Sequence, residues 1–566
     1  MIYPATLLCD FYKISHREQY PKRTQKIYST WTPRTSRIKN IDSVVAFGFQ
    51  AFIKEYLIDY FNENFFNRPL KDVKAEYTRV IKATLGIENP HTQHIEDLHV
   101  LGYLPLRIKA VKEGTRVPVK VPMLTVENTL EHFFWLTNYI ETLMSCSLWQ
   151  AATSATIADE YKKILTEYAK KTGQEGFVQF QGHDFSMRGM GSLEAAKMSG
   201  AGHLLSFVGT DTIPAILFHE QYYGANIEKE LVGTSIPATE HSVMCAGGEE
   251  TELETYKRII TEVYPKGFVS IVSDTWDLWK VLSDVVVPLK DTILARDGKV
   301  VIRPDSGDPV KIVCGERVNI YSTLDDAKGY FEDALYEAQP HGEQEVTIPI
   351  ERIVYIIDDD KHYKLEADIE WDRYDKQYYH IEEVNFKATE HSLTLVEKGV
   401  IEVLWEIFGG TINDKGYKEL DPHIGCIYGD AITLERCEEI CKQLEAKGFA
   451  STNMVYGIGS YTYQYNTRDT FGFALKSTYA KINGKEKFLF KDPITDSGTK
   501  KSQTGMVLVM KNLKDDLICM EDMNEESRRV NEEDGIDLLE DVFIDGKLVR
   551  EQTLTEIRKI LADGLR

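Results

Sequence analysis

An α/β barrel with an adjoining β-rich domain is the architecture this sequence predicts. Three observations carry it. From about residue 177, short apolar runs alternate with helical segments, and each run stops on a polar cluster. FVQFQ precedes GHDFSMRG, LLSFV precedes GTDT, FVSIV precedes SDTWD, VVI precedes RPDSGD, GCIY precedes GDAI and MVY precedes GIGS. Parallel α/β folds, barrels above all, gather their C-terminal strand ends at the active site, which gives Asp and Arg a reason to recur there. Upstream, PLRIKAVKEGTRVPVKVPMLTVENT (105–129) alternates apolar and polar residues with Gly and Pro at its bends, the pattern of antiparallel sheet. After residue 470, β character returns in YAKINGKEKFLFKDP, MVLVMKN and DVFIDGKLV, the last with an Asp-Gly hairpin turn.

Between these parts, Glu131 to about Lys171 reads as helix, ending at KKTG. The barrel rhythm breaks from Cys314 to about Ser392, where an acidic, tyrosine-rich, partly alternating stretch reads as an inserted β-rich module. TLVEKGVIEVLWEIFGG (394–410) then resumes as helix, with Thr394 and Glu397 in capping-box spacing and Gly409–Gly410 at its end. The predicted division is 1–176, a barrel over 177–470 interrupted at about 314–392, and 471–566 completing the β-rich domain.

Composition narrows the function. A formal charge of −23 argues against a nucleic-acid partner, which needs a basic face, though a few local arginines can still hold a small anion. The start, MIYPATLLCDFYK, lacks the basic lead and apolar run of a signal peptide, and no apolar stretch reaches the roughly 18 residues that span a membrane. Of the eight cysteines, Cys437 and Cys441 lie one helical turn apart with no second pair nearby, so reduced thiols are expected rather than zinc. A soluble, cytoplasmic protein with no membrane partner follows.

The strand-end clusters suit a polyphosphorylated sugar. Arg188, Arg303 and Arg468 are permanent planar cations beside glycines that let backbone N–H groups approach a phosphate. Asp277, Asp305 and Asp430 could hold Mg²⁺ or ribose hydroxyls. Phe185 could stack on a flat ring. Singly, each also fits a salt bridge, a loop or a surface residue; only the ensemble is informative.

That ensemble resembles the nicotinamide phosphoribosyltransferases, a type II phosphoribosyltransferase family. HDF-x-x-RG, GTDT, P-A-x-EHS, VSD-x-x-D, IRPDSG-x-P, GD and a glycine turn followed by TRD occur in the family's order, as do D-x-YK-x-x-H-x-x-QYP at 10–21 and FKDP at 490–493. The resemblance covers the chain except about 314–392. It implies an irregular α/β barrel with an adjoining β-rich domain, working as a homodimer with shared active sites. The implied reaction joins nicotinamide to phosphoribosyl pyrophosphate in NAD salvage. Phe185 and, from the other subunit, Tyr12 would sandwich the pyridine, with Asp10 beside it. Asp211 would accept a hydrogen bond from the carboxamide, with Ser273 and Arg303 in the same pocket. Asp305, Gly429 and Asp430 would hold the ribose, and the Gly457–Gly459 turn with Ser460 the 5′-phosphate. Arg34, Arg188, Arg468 and Lys491 would bind the polyphosphate, and Asp277 and Asp305 Mg²⁺.

The pentapeptide ATEHS occurs twice, at 238–242 and 388–392. His241, in the first copy, falls where the family phosphorylates a histidine from ATP as co-substrate. His391, in the second, lies beside the capped helix at 394 and reads as coincidence of turn chemistry. Two departures touch the phosphate contacts: Ser460 replaces a glycine of the family's glycine-rich turn (GSGGG), where this chain has GIGSY, and Met506 stands where a basic residue is usual. The rival readings are a nicotinate phosphoribosyltransferase and a catalytically silent nucleotide sensor.

Overall fold

The computed structural model describes residues 3–315, 320–321, 323, 325–329, 353–358, 361–375, 378–429, 432–491 and 502–564. Six parallel strands form the barrel wall, in the order Gly209–Thr210, Gly182–Asp184, Met454–Ile458, Ile424–Tyr428, Val300–Arg303 and Val269–Val272. The segment 234–239 closes the gap: Thr234 bridges Gly209, and Ala238 bridges Ser270. Thr210 N–H donates to the Thr234 carbonyl at 3.0 Å, and Ser270 N–H to Pro237 at 2.8 Å. Pro237 has no N–H to give, so the closure is irregular where it sits.

Two of the six expected strands are shorter and later than their apolar runs. FVQFQ is helical, as Glu175–Phe177 and Val178–Gln181, and the strand is the polar Gly182–Asp184 that follows. LLSFV likewise leaves only Gly209–Thr210 as strand. A short apolar run does not distinguish a buried strand from a buried helical turn. Here Gln181 turns its amide inward and donates to the carbonyls of Ser451 and Met454, both at 3.0 Å, which ties the turn to the neighbouring strand.

The other large unit is a seven-stranded antiparallel sheet, in the order Lys485–Phe488, Ala474–Ile482, Thr24–Thr32, Leu124–Asn128, Leu106–Ala110, Glu540–Ile544 and Lys547–Leu548. N- and C-terminal segments thus interleave in one sheet. Asn483–Gly484 and Asp545–Gly546 turn its two hairpins with φ of 51°, 73°, 47° and 80°, the left-handed pair that two-residue hairpins require.

A 32-residue helix, Glu141–Thr172, joins the two units. Its first half adds Leu143, Met144 and Leu148 to the core under the sheet, and its second half adds Ile157, Tyr161 and Leu165 to the barrel core. Every residue from Gln150 to Asp159 is buried, as expected of a helix covered on all sides. A Cβ on Gly202 would stand 2.8 Å from the Ala151 carbonyl oxygen, so only glycine permits that helix contact.

A buried carboxylate fastens the junction. Glu113 accepts from the Gly48 and Gln50 N–H groups at 2.7 Å each and from the Tyr223 hydroxyl at 2.9 Å. Its own N–H donates to Gln552, which binds Gln50 in turn. Glu113→Ala strands three buried donors and is expected to cost about 3–5 kcal/mol, read as a lower denaturation midpoint at unchanged slope. A second buried group makes the fold acid-sensitive. Burial holds the His219 imidazole neutral, with a pKa lowered to about 3, while Nε2 meets the Ala201 carbonyl at 2.9 Å. The unfolded chain therefore takes up a proton that the folded one refuses. His219's contribution is full above about pH 6.5 and is lost as pH falls towards 3. Denaturation midpoints measured from pH 7 to 5 should fall accordingly.

The insert is β-rich as expected, with antiparallel strands Ile353–Asp358, Lys361–Asp375 and Tyr378–Glu390. Its ends meet. A Cβ on Gly399 would lie 2.3 Å from Gly315 N, and both glycines have positive φ, 78° and 90°. The chain therefore leaves and re-enters the barrel pattern at one place. Gly399 also divides the expected 394–410 helix into Leu395–Lys398, with its Thr394/Glu397 capping box, and Val400–Phe408. His391 Nε2 contacts Glu397 Oε2 at 2.8 Å, which gives the second ATEHS a capping role.

Candidate active site

A cavity of about 640 Å³ runs through the barrel. Phe185, Asp211 and Arg303 line it at the C-terminal strand ends, and Phe177, Phe268 and Lys299 at the opposite mouth. Phe185 follows the Gly182–Asp184 strand and is anchored by its N–H to the Ile458 carbonyl at 3.0 Å. Asp211 Oδ1 meets His183 Nε2 at 2.9 Å and accepts the Ser235 hydroxyl at 2.6 Å. Burial works to raise the Asp211 pKa, but the hydrogen bonds from His183 and Ser235 and the charge of Arg303 outweigh it, and the net shift is downward. The carboxylate is therefore ionised across the neutral range. Beside it, Arg303 reaches the Thr239 carbonyl through Nη2 at 2.6 Å, while its buried Nε has no partner among the described residues.

Ser273 is fully buried behind Arg303 rather than on the cavity wall. Its hydroxyl donates to the Ile271 carbonyl at 2.7 Å and accepts from Tyr256 at 2.9 Å. Below the cavity mouth, Asp274 Oδ2 accepts from the N–H groups of Asp305 and Ser306, at 2.9 and 2.7 Å, and from the Ser306 hydroxyl at 2.5 Å. Its buried Oδ1 lies 3.4 Å from His241 Nε2 and has no hydrogen-bond partner among the described residues. Asp274 thus shapes the RPDSG loop and faces the His241 ring at once. His241 opens the His241–Gly247 helix, half exposed.

Strand ends crowd closely here. Gly429 donates its N–H to the Pro304 carbonyl at 3.0 Å, and a Cβ on it would fall 1.9 Å from Asp305 Oδ1. A Cβ on Gly457 would lie 2.4 Å from the Tyr428 carbonyl oxygen. Gly459 caps the short Ser460–Gln464 helix. The Ser460 side chain fills the space beside Gly189, where a Cβ would come within 2.1 Å of its Oγ. The departure at Ser460 is thus matched by a glycine in the facing RGMG loop. Met506, the other departure, is buried in the Met506–Lys511 strand.

The remaining expected residues are spread more widely. Arg188 is exposed on the Met187–Gly189 turn, and Arg468 is exposed and paired with Asp469 at 2.9 Å. Arg34 Nε binds the Gly472 carbonyl at 2.8 Å, and Lys491 is exposed. Asp10, bonded by the Thr142 hydroxyl at 2.9 Å, and Tyr12, 56% exposed under Lys13, do not line this chain's cavity. Asp430 lies outside the described residues. Asp277 Oδ1 caps the helix after it, accepting from Trp279 and Lys280 N–H at 3.0 and 3.2 Å. Its charge helps burial and Glu249 push Glu252 up to about 7. Asp277 and Asp305 each offer the hard carboxylate oxygens that Mg²⁺ takes.

His183, Ser235 and Asp274 were not anticipated as site residues. His183 and Asp274 each sit in a strand-end motif, HDF and VSD, and that placement is their signal in the sequence. Ser235 had no such signal, because the segment carrying it does not read as a strand.

Strand-end glycines, an ionised aspartate in an aromatic-walled cavity and a parallel barrel suit an enzyme that holds a flat ring beside a phosphorylated sugar, and the relatives named below make that class a pentosyltransferase. Comparison with known proteins agrees. Residues 180–345 and 385–547 match the nicotinate phosphoribosyltransferase (NAPRTase) family, and residues 5–108 match the nicotinamide phosphoribosyltransferase N-terminal domain. The nicotinamide phosphoribosyltransferase of Acinetobacter baylyi is 46% identical over 98% of this chain and 96% of its own. That of Mycoplasma pneumoniae is 33% identical over 88% and 94%. Among solved structures, nicotinate-nucleotide pyrophosphorylase from Pyrococcus furiosus aligns over 99% of this chain and 95% of its own, at 14% identity and a TM-score of 0.49. The chain belongs to the nicotinate phosphoribosyltransferase family. No helix among the described residues is long and apolar enough to cross a membrane.

Proposed function

We propose that this enzyme joins nicotinamide to phosphoribosyl pyrophosphate, releasing pyrophosphate and forming nicotinamide mononucleotide, with ATP stimulating turnover through His241. The observation that carries the choice of base is Asp211. Its ionised carboxylate can accept the N–H of a carboxamide but repels the carboxylate of nicotinate. The names of the relatives from Acinetobacter baylyi and Mycoplasma pneumoniae agree.

The chemistry asks for no general base, because the pyridine nitrogen carries no proton to remove. Phe185 supports one face of the ring, and Tyr12 of a second copy the other, which aims a weak nucleophile at C1. As the bond to pyrophosphate breaks, charge grows on the leaving group. Arg34, Arg188, Arg468 and Lys491 meet it, while Asp305, Gly429 and Asp430 hold the ribose and the Gly457–Ser460 turn the 5′-phosphate. Mg²⁺, held by Asp277 and Asp305, would supply further neutralisation of that charge.

With Asp274 facing Nε2, the other ring nitrogen of His241 keeps the lone pair that attacks a γ-phosphoryl group. The test offers nicotinamide and nicotinate separately, with Mg²⁺ and phosphoribosyl pyrophosphate, with and without ATP. Nicotinamide mononucleotide should form. ATP should raise its yield, and His241→Ala should keep basal turnover but lose the ATP effect. Preferential turnover of nicotinate would overturn the reading of Asp211, and binding without turnover would leave a sensor.

A further inference from the structure

Far from the barrel cavity, two histidines and a carboxylate from separate elements converge. His94 is in the first turn of the Gln93–Leu101 helix and only 2% exposed, with Trp135 edge-on to its ring at 4.9 Å. Its Nε2 is buried with no hydrogen-bond partner among the described residues, so the polar contact of the ring is made by Nδ1. That atom lies 3.3 Å from Nδ1 of His91, whose ring stacks on it at 5.5 Å and 20°. Glu18, from the His16–Gln19 helix, places Oε1 3.8 Å from His91 Nδ1. The three ligand atoms lie within 4.8 Å of one another.

The spacing is telling. Two imidazole nitrogens bound to one tetrahedral zinc at about 2.0–2.1 Å stand roughly 3.3–3.4 Å apart. Two histidines and one carboxylate are also a donor set that zinc takes, with water in the fourth position. We propose that Glu18, His91 and His94 form a zinc site that clips the His16–Gln19 helix to the Gln93–Leu101 helix. Arg17 Nη1, 3.3 Å from Glu18 Oε1, competes with the ion and makes the site weaker than a closed structural one. Because the clip holds the short helix that follows the Phe11–Ser15 turn bearing Tyr12, occupancy would also steady that turn.

Neither Glu18 nor His91 is buried, so both can be changed without opening the core. Full-length protein, stripped with chelator and kept reduced, is titrated with Zn²⁺ alone by calorimetry, and Co²⁺ is substituted to read its visible bands. One ion per chain with a tetrahedral Co²⁺ spectrum is expected. His91→Ala and Glu18→Gln should each weaken binding roughly tenfold or more while leaving the far-ultraviolet circular dichroism unchanged. Absence of saturable binding would overturn the proposal. So would binding that His91→Ala leaves intact, since the ion would then be held by other groups, such as the thiols.

Discussion

Asp274→Ala is expected to lower kcat/KM by about 10²–10³-fold, although Asp274 lines no part of the cavity wall. Its Oδ2 gathers the Asp305 and Ser306 N–H groups and the Ser306 hydroxyl. Each hydrogen bond to a charged group is worth about 1.5–3 kcal/mol, and the three act together, so a net loss of about 3–4 kcal/mol is expected at Asp305, the residue proposed to hold the ribose. Asp305 would then swing freely beside Gly429, whose missing side chain is the only reason the two fit. Asp274→Asn keeps an oxygen for the two N–H groups and should lose only about tenfold. Steady-state kinetics of both variants, with circular dichroism to confirm folding, distinguishes them. Equal losses in the two would mean that charge, not loop geometry, is what Asp274 supplies.

Asp211→Asn should lower kcat/KM for nicotinamide by about 10–100-fold and shift preference towards nicotinate. The substituted side chain can still accept from His183 and Ser235 through its oxygen. Its NH₂ group then replaces Oδ2, and a donor faces the donor of the carboxamide. Loss of a charge-assisted bond of about 1.5–3 kcal/mol sets the magnitude. Competition between the two bases in one vessel measures the ratio directly. An unchanged ratio would place base selection elsewhere, with Arg303 the next residue to test.

Much of this arrangement was legible in the chain. Strands Leu106–Ala110 and Leu124–Asn128 within 105–129 and the hairpins at Asn483–Gly484 and Asp545–Gly546 share one antiparallel sheet, while Arg116–Pro118 pairs with Ser43–Val45 apart from it; extended patterning and φ > 0 turns are local properties. Strand ends after VVI, FVSIV and GCIY fall within one residue of where the sequence puts them, while the strand begun by MVY runs on through Gly457 and Ile458. FVQFQ fails because burial alone does not choose between helix and strand, and LLSFV because it is the buried turn that ends the Leu193–His203 helix. His391 and His241 carry the same pentapeptide, yet one meets the carboxylate of a helix cap and the other that of a loop-shaping aspartate.

The sequence by itself determined the residue types, their order and the local turns, which suffice for the barrel, the interleaved β-rich domain and a phosphoribosyl-binding chemistry. Only the tertiary structure decided that TSIPAT closes the barrel, that Ser235 and His183 grip Asp211, that Ser273 stands behind Arg303, and that Ser460 rests in the space Gly189 leaves. The reason is physical. Periodicity and turn chemistry act between residues close in the chain, whereas each of these contacts joins segments distant in sequence, where packing alone fixes which side chains meet.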